Sequence, residues 1–218
     1  MSASAGVTLA LSKGRIFEES EALLAPLGLL PQADLDDRLL RLPSQADGVD
    51  LLVIRPSDVP PYVEHGAADF GIVGKDVLME HDGSGLFEPL DLQIAQCRMV
   101  VAGLPDSGLD RLRRRPRIAT KYPAIARAHF GRQGRQVEII KLYGSMELAP
   151  LVGLADAIVD LVATGSTLRA NGLIEFETIA DISSRLVVNK AAMKTKHAAL
   201  THWIERFREV VTAKEPVA

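Results

Sequence analysis

Short aliphatic and β-branched runs alternate along this chain with segments whose apolar residues recur every three or four positions. Residues 7–11, 49–54 and 68–73 are runs of the first kind and read as buried strands. Between the first two, residues 16–27 place Ile16, Leu23, Leu24 and Leu27 on one face and Glu18, Glu19 and Glu21 outside it, a helix pattern that Pro26 and Gly28 close. Ser57 or Asp58 can cap a second helix over 60–65, which Gly66 ends, and a third helix starts at Lys75. This β-α-β rhythm predicts an α/β fold with a mostly parallel sheet covered by helices.

A second rhythm begins near Ile94. Strands are expected over 93–102, 117–119, 137–140, 157–162 and 186–189, with a helix over 124–130 and a final amphipathic helix over 196–211 carrying Trp203 and Phe207. No Pro-, Gly- or Ser-rich linker divides the two rhythms, so two lobes would be joined by ordered segments, for which the apolar stretches 93–101 and 179–188 are suited. Lobe I is then discontinuous, 1–95 plus 184–218, and lobe II is the insertion 96–183. A ligand is expected in the cleft between the lobes, near the carboxyl ends of the strands.

Composition narrows the classes. Of 218 residues, 47% are hydrophobic and 24% charged, enough to bury a core and too little charge for a disordered chain. A net charge of −3 argues against a nucleic-acid partner, and the basic run Arg111, Arg113, Arg114, Arg115, Arg117 reads as a solvated loop before a strand. With Cys97 as the single cysteine no intrachain disulfide can form, which suits a reducing compartment. The first six residues lack the basic and apolar regions of a signal peptide, and no apolar stretch approaches the ~20 residues of a membrane span. A cytoplasmic protein with no membrane attachment is expected.

The strongest chemical signal is residues 156–168, an apolar strand delivering Ala163-Thr164-Gly165-Ser166-Thr167 into a helix start at Ser166 or Thr167. Free N–H groups at such a turn bind phosphate, Gly165 lets the backbone approach closely, and Thr164, Ser166 and Thr167 add hydroxyl donors. Asp160, on the strand just before, can accept hydrogen bonds from a ribose diol, so the combination suits a phosphorylated ribose. An ordinary capped helix would also show Thr-Gly-Ser-Thr. Glu147, thirteen residues before Asp160, opens a mostly apolar helix ending near Gly153; it is either a favourable first-turn acid or a second carboxylate facing ribose or metal. Near the N-terminus, Lys13 and Arg15 flank Gly14 between a strand and a helix start, where cations oppose the helix dipole and so point to an anion. Arg38, Arg41 and Arg55 are further cations that a polyphosphate could gather, although Arg38 and Arg41 taken singly read as surface residues. The five histidines show no metal-ligand spacing.

The segments Ala10-Leu11-Ser12-Lys13-Gly14-Arg15 and Asp69-Phe70-Gly71-Ile72-Val73-Gly74-Lys75-Asp76, with the run 147–168 carrying Glu147, Gly153, Asp160, Thr164, Gly165, Thr167 and Leu168, together resemble ATP phosphoribosyltransferase. The resemblance extends from Thr8 to about Val211. It implies a two-lobed fold similar to type II periplasmic binding proteins, and the short form of the family, because the chain stops soon after its last helix. It implies ATP, PRPP and Mg²⁺ as substrates and cofactor, the metal being held mainly by substrate phosphates. It also implies a homodimer joined by a separate regulatory subunit resembling histidyl-tRNA synthetase. By the same resemblance Arg15 and Arg38 are the catalytic arginines, and Lys13 and Arg55 are supporting binders of ATP phosphates. Thr164, Gly165, Ser166 and Thr167 hold the PRPP 5′-phosphate, while Asp160 and Glu147 hold its ribose hydroxyls. Two rivals remain at this level. A type I phosphoribosyltransferase would place two adjacent acids before the Thr-Gly, whereas Asp160 is followed by Leu161. A solute-binding module or a regulator's effector domain would share the fold without the reaction.

Overall fold

The computed structural model describes residues 6–32, 40–81, 83–107 and 115–214. Two compact units form, Met1–Ala95 with Ser183–Ala218, and Gln96–Ile182.

The first unit opens with β1 (Val7–Ser12) and α1 (Arg15–Leu24), which tightens into a 3₁₀ turn over Ala25–Leu27. Next come β2 (Arg41–Pro43), β3 (Val49–Ile54), a 3₁₀ turn over Pro56–Asp58, α2 (Val59–Glu64), β4 (Phe70–Gly74), α3 (Lys75–Glu80) and β5 (Leu86–Asp91). The second unit carries β6 (Cys97–Gly103), β7 (Arg117–Thr120), α4 (Pro123–Arg132), β8 (Glu138–Lys141), α5 (Leu148–Leu151), β9 (Ala157–Val162), α6 (Ser166–Ala170) and β10 (Ile174–Ile182). The chain then completes the first unit with β11 (Ser184–Asn189), α7 (Lys190–Thr195) and α8 (His197–Lys214).

The sheets run in the orders β2-β3-β1-β4-β11-β5 and β10-β6-β9-β7-β8. Both are mixed, which corrects the expectation of a mostly parallel sheet. In the first, β3, β1 and β4 are parallel, but β11 runs against both β4 and β5, and β2 runs against β3. In the second, β9, β7 and β8 are parallel, while β6 runs against both β9 and β10. Parallel neighbours need a helical crossover to bring the chain round. β6, which opens the inserted unit, and β11, with which the chain re-enters the first, are not joined to their sheet neighbours by a single β-α-β crossover, and both lie antiparallel to them. The predicted strand over 93–102 starts only at Cys97, because Gln93 and Ala95 adopt left-handed φ values of 57° and 52° that break any strand.

Each sheet is covered on both faces, which is why its central strands read as continuous apolar runs rather than alternating ones. On one face of the first sheet, Leu9, Leu11, Leu51, Phe70 and Ile72 pack with Leu23 and Leu24 of α1 and with Trp203 and Phe207 of α8. Phe70 and Phe207 meet edge to face at 6.5 Å. On the other face Ala10, Val73 and Val187 pack with Val59 and Val63 of α2. In the second unit Met99, Val101, Ile118 and Val159 pack with Ile125 and Phe130 of α4, and Val100, Ala119 and Ile158 with Met146, Ala149 and Leu168. Buried Asp69 accepts the Thr8 N–H at 2.8 Å and the Lys196 ammonium at 2.9 Å, tying the start of β1 to the segment before α8. No helix among the described residues is long and apolar enough to cross a membrane.

Candidate active site

In the second unit the three parallel strands β8, β7 and β9 end at one edge. The segment after β8 leads to Glu147, and the segment after β9 is the turn Ala163-Thr164-Gly165. Ile158 and Val159 anchor β9 in the core, so Asp160 and the turn are presented from a rigid base. Gly165 has φ 72° and ψ 8°, the left-handed conformation that reverses the chain into α6 at Ser166. A left-handed residue running into a helical one turns successive N–H groups toward a common point, an anion-binding concavity. Because α6 has only five residues, its dipole is small, and what the turn offers an anion is hydrogen-bond donors.

A cavity of about 260 Å³ opens at this turn. It is lined by Glu147, Asp160, Thr164, Gly165, Ser166 and Thr167, over an apolar floor that includes Val100, Ile158, Val162 and Leu168. Six predicted residues from two separate stretches therefore share one cavity. Glu147 stands at the N-cap position of α5 without making a side-chain cap hydrogen bond, which disfavours a purely helix-stabilising role. Asp160 Oδ1 accepts the Leu161 N–H at 2.8 Å. The Thr164 and Ser166 hydroxyls lie 3.0 Å apart, and both residues are exposed.

The cations of the first unit group at the corresponding edge of its own sheet. Parallel pairing places Ser12 beside Ile54, and the Lys13 N–H donates to the Ile54 carbonyl at 2.8 Å. Lys13 and Arg55 thus stand one residue past the ends of neighbouring strands, with Arg15 opening α1 close by in sequence; all three are exposed. Arg15 Nε donates to Glu19 Oε1 at 2.5 Å, and Glu19 Oε2 accepts the Ala95 N–H at 2.6 Å. Burial pushes the Glu19 carboxyl up, but the Arg15 hydrogen bond, the Ala95 N–H and the Arg15 charge outweigh it and hold the group below its ordinary range. Glu19, on the outer face of the predicted helix, is therefore what orients Arg15. Arg38 lies outside the described residues, and Arg41 is engaged by Asp50 at 2.7 Å on the sheet edge.

Two residues that the sequence pattern does not single out also lie beside the turn. Arg169 Nη1 donates to the Thr164 carbonyl at 3.0 Å, and Glu175 receives Arg98 Nη2 at 2.8 and 3.0 Å. A Cβ on Gly165 would lie 2.9 Å from Arg169 Nη1 and 3.3 Å from Glu175 Oε1. Among the described residues no group of three or more His, Cys, Asp or Glu side chains is placed to hold a metal ion.

A profile of the HisG family, ATP phosphoribosyltransferase, matches residues 55–209. An ATP phosphoribosyltransferase of Methylococcus capsulatus is 58% identical over 209 residues, covering 95% of this chain and 97% of the relative. Among solved structures, the ATP phosphoribosyl transferase (HisG:HisZ) complex from Thermotoga maritima contains a chain with a TM-score of 0.84 and 34% identity, matched over 95% of this chain and all of that one (100%). The substrate binding protein of an amino acid ABC transporter superposes with a TM-score of 0.58 at 14% identity, covering 94% of this chain and 91% of that one, which shows a shared two-lobed α/β fold.

Proposed function

Since the chain belongs to the ATP phosphoribosyltransferase family, we propose that it transfers the 5-phosphoribosyl group of PRPP to N1 of ATP with release of pyrophosphate, the first step of L-histidine biosynthesis. The observation that carries this reading is the shared cavity. Two carboxylates, Glu147 and Asp160, and the hydroxyl-rich turn Thr164–Thr167 line one space, the chemistry a phosphorylated sugar requires. The turn's N–H groups and the Thr164, Ser166 and Thr167 hydroxyls take the 5′-phosphate. Asp160, with Glu147, accepts from the ribose hydroxyls. A solute-binding role on the same fold would leave this combination without a purpose.

The chemistry sets what else is needed. The N1 lone pair of adenine forms the new bond to C1 of the ribose as the C1–O bond to pyrophosphate breaks, so attack needs no strong base. The barrier is one of charge, positive on the ribose ring and negative on the departing pyrophosphate. Arg15 and Arg38 stabilise the negative charge on the pyrophosphate, while Lys13 and Arg55 hold ATP phosphates. The family generally works with a divalent metal, and we assign Mg²⁺. Two acids on the cavity, without a cage of three or more among the described residues, fit an ion held mainly by substrate phosphates. When bound, it neutralises the leaving group.

The Thermotoga chain belongs to a HisG:HisZ complex and is matched over its whole length. This supports a separate partner subunit of the HisZ kind, and we assign to it a regulatory role and a likeness to histidyl-tRNA synthetase, with a homodimer of this chain as the catalytic part. The metabolic role and the single Cys97 suit the cytoplasm.

The reaction is tested with ATP, PRPP, Mg²⁺ and pyrophosphatase. A product absorbing differently from ATP should accumulate one for one with pyrophosphate released. Pyrophosphate release without a nucleotide adduct would refute the assignment of the acceptor, and no turnover at all would refute the reaction.

A further inference from the structure

We propose that Arg169 is a positioning residue for PRPP binding, acting from behind the phosphate turn rather than by touching the substrate. The inference rests on the reading of Thr164–Thr167 as the phosphate site.

Three observations carry it. Arg169 Nη1 donates to the Thr164 carbonyl at 3.0 Å. Neither Arg169 nor Glu175 lines the cavity that the turn itself lines. The place where a Gly165 Cβ would stand is instead closed by Arg169 Nη1 at 2.9 Å and Glu175 Oε1 at 3.3 Å. The guanidinium thus lies against the rear of the turn, with an acid of β10 beside it.

Peptide geometry converts that contact into function. Across a trans peptide the C=O of one residue and the N–H of the next point in opposite directions, and no cis bond occurs among the described residues. Clamping the Thr164 carbonyl on the rear side therefore turns the Gly165 N–H away from Arg169. That N–H is one of the donors the turn offers to an anion. Without the clamp the Thr164–Gly165 peptide is free to rotate, and the donor loses its aim before the substrate arrives. Glu175 has a second part. It is held by Arg98 through both carboxylate oxygens, and it keeps a negative charge behind the turn that favours Arg169 staying there instead of swinging forward to the phosphate.

The test compares Arg169→Ala, Arg169→Lys and Gly165→Val with the unaltered enzyme. Readouts are PRPP titration calorimetry, KM for each substrate, kcat and thermal melting. Arg169→Ala should raise the Kd and KM for PRPP about tenfold, the lower end for a hydrogen bond with a charged donor because the side chain is exposed. KM for ATP and the melting temperature should stay close to those of the unaltered enzyme, and Arg169→Lys, which keeps a cationic donor, should recover part of the PRPP affinity. Equal shifts in both KM values, or a fall in melting temperature that alone accounts for lost activity, would show a merely structural role and overturn the proposal. Normal PRPP binding in Arg169→Ala with lost binding in Gly165→Val would overturn the proposal and leave the phosphate turn standing. Normal PRPP binding in both variants would overturn the phosphate turn itself. Should Arg169→Ala not fold, Arg169→Gln, which keeps a neutral donor on a shorter arm, is read by the same criteria.

Discussion

Replacing Gly165 by valine probes the turn at the point where conformation and contact coincide. Two costs follow from the structure. Gly165 holds φ 72°, where an L side chain costs about 1–2 kcal/mol and a β-branched one is crowded further. The new Cβ would also stand 2.9 Å from Arg169 Nη1, closer than real contacts allow, so the guanidinium must move. As the end of a flexible side chain it can do so cheaply, but moving abandons the Thr164 carbonyl it holds at 3.0 Å. Strain alone should lower the melting temperature by about 2–8 °C, at roughly 2–4 °C per kcal/mol for a chain of this size. PRPP affinity should fall by more than tenfold, since the distorted turn and the lost hydrogen bond from a charged donor act together, the latter worth about 1.5–3 kcal/mol. Gly134 provides the comparison. It also has a positive φ, 69°, but nothing lies within 4 Å of its would-be Cβ, and it is not on the cavity. Gly134→Ala should therefore lower the melting temperature by a similar step and leave PRPP binding unchanged. Calorimetric titration with PRPP and thermal melting of both variants decide the matter. An unchanged PRPP Kd in Gly165→Val, or an equal loss in Gly134→Ala, would refute the reasoning.

Arg15→Ala and Arg38→Ala should each lower kcat at least as much as they raise KM, by about 10²–10³ if each acts like a single oxyanion donor, and a raised KM with normal kcat would reduce them to ground-state binders. Glu64 accepts the Gly85 N–H first and His81 second, and these bonds hold its carboxyl below the ordinary 4.5 against the opposing effect of burial. Its contribution to stability is therefore full above about pH 4.5 and is lost as pH falls through the lowered value, so Glu64→Gln should melt with a shallower acid decline; parallel melting curves for the two proteins from pH 7 to 3 would refute this. Histidine should leave the initial rate of the isolated chain unchanged and inhibit only after the synthetase-like subunit is added, because such coupling needs a partner whose states bind histidine unequally; strong inhibition of the isolated chain would place the regulatory site within it.

What could be read from the sequence follows from how local each feature is. The strands over 49–54 and 157–162 are continuous apolar runs because helices cover both faces of their sheets, and their observed ends agree with the expected ones. β2, three residues long, is defined by pairing with β3 and has no pattern of its own. β10 is an edge strand whose alternation of apolar and acidic residues lasts only over Ile174-Glu175-Phe176-Glu177 and breaks at Thr178-Ile179, and two register shifts disturb its pairing, so the pattern is too short to mark a nine-residue strand. Strand direction is not local either. Whether β11 lies between β4 and β5 is a fact about distant segments, and no window of sequence contains both.

The site divides along the same line. Thr164 to Thr167 are contiguous, and the residue types alone suggest a phosphate turn; that Glu147 shares its cavity needs only the short path from β8 to β9. The neighbourhood of Lys13 and Arg55 depends on the parallel register that sets Ser12 beside Ile54, forty-two residues apart in sequence. Arg169 was hidden for a different reason. In Leu168-Arg169-Ala170 it reads as an exposed cation in the last turn of a short helix, where cations are ordinarily welcome to the dipole. Its contact runs backward to the Thr164 carbonyl, and only a glycine at 165 leaves room for it. The same glycine thus answers two demands, a left-handed φ for the turn in front and an unfilled Cβ position for the guanidinium behind.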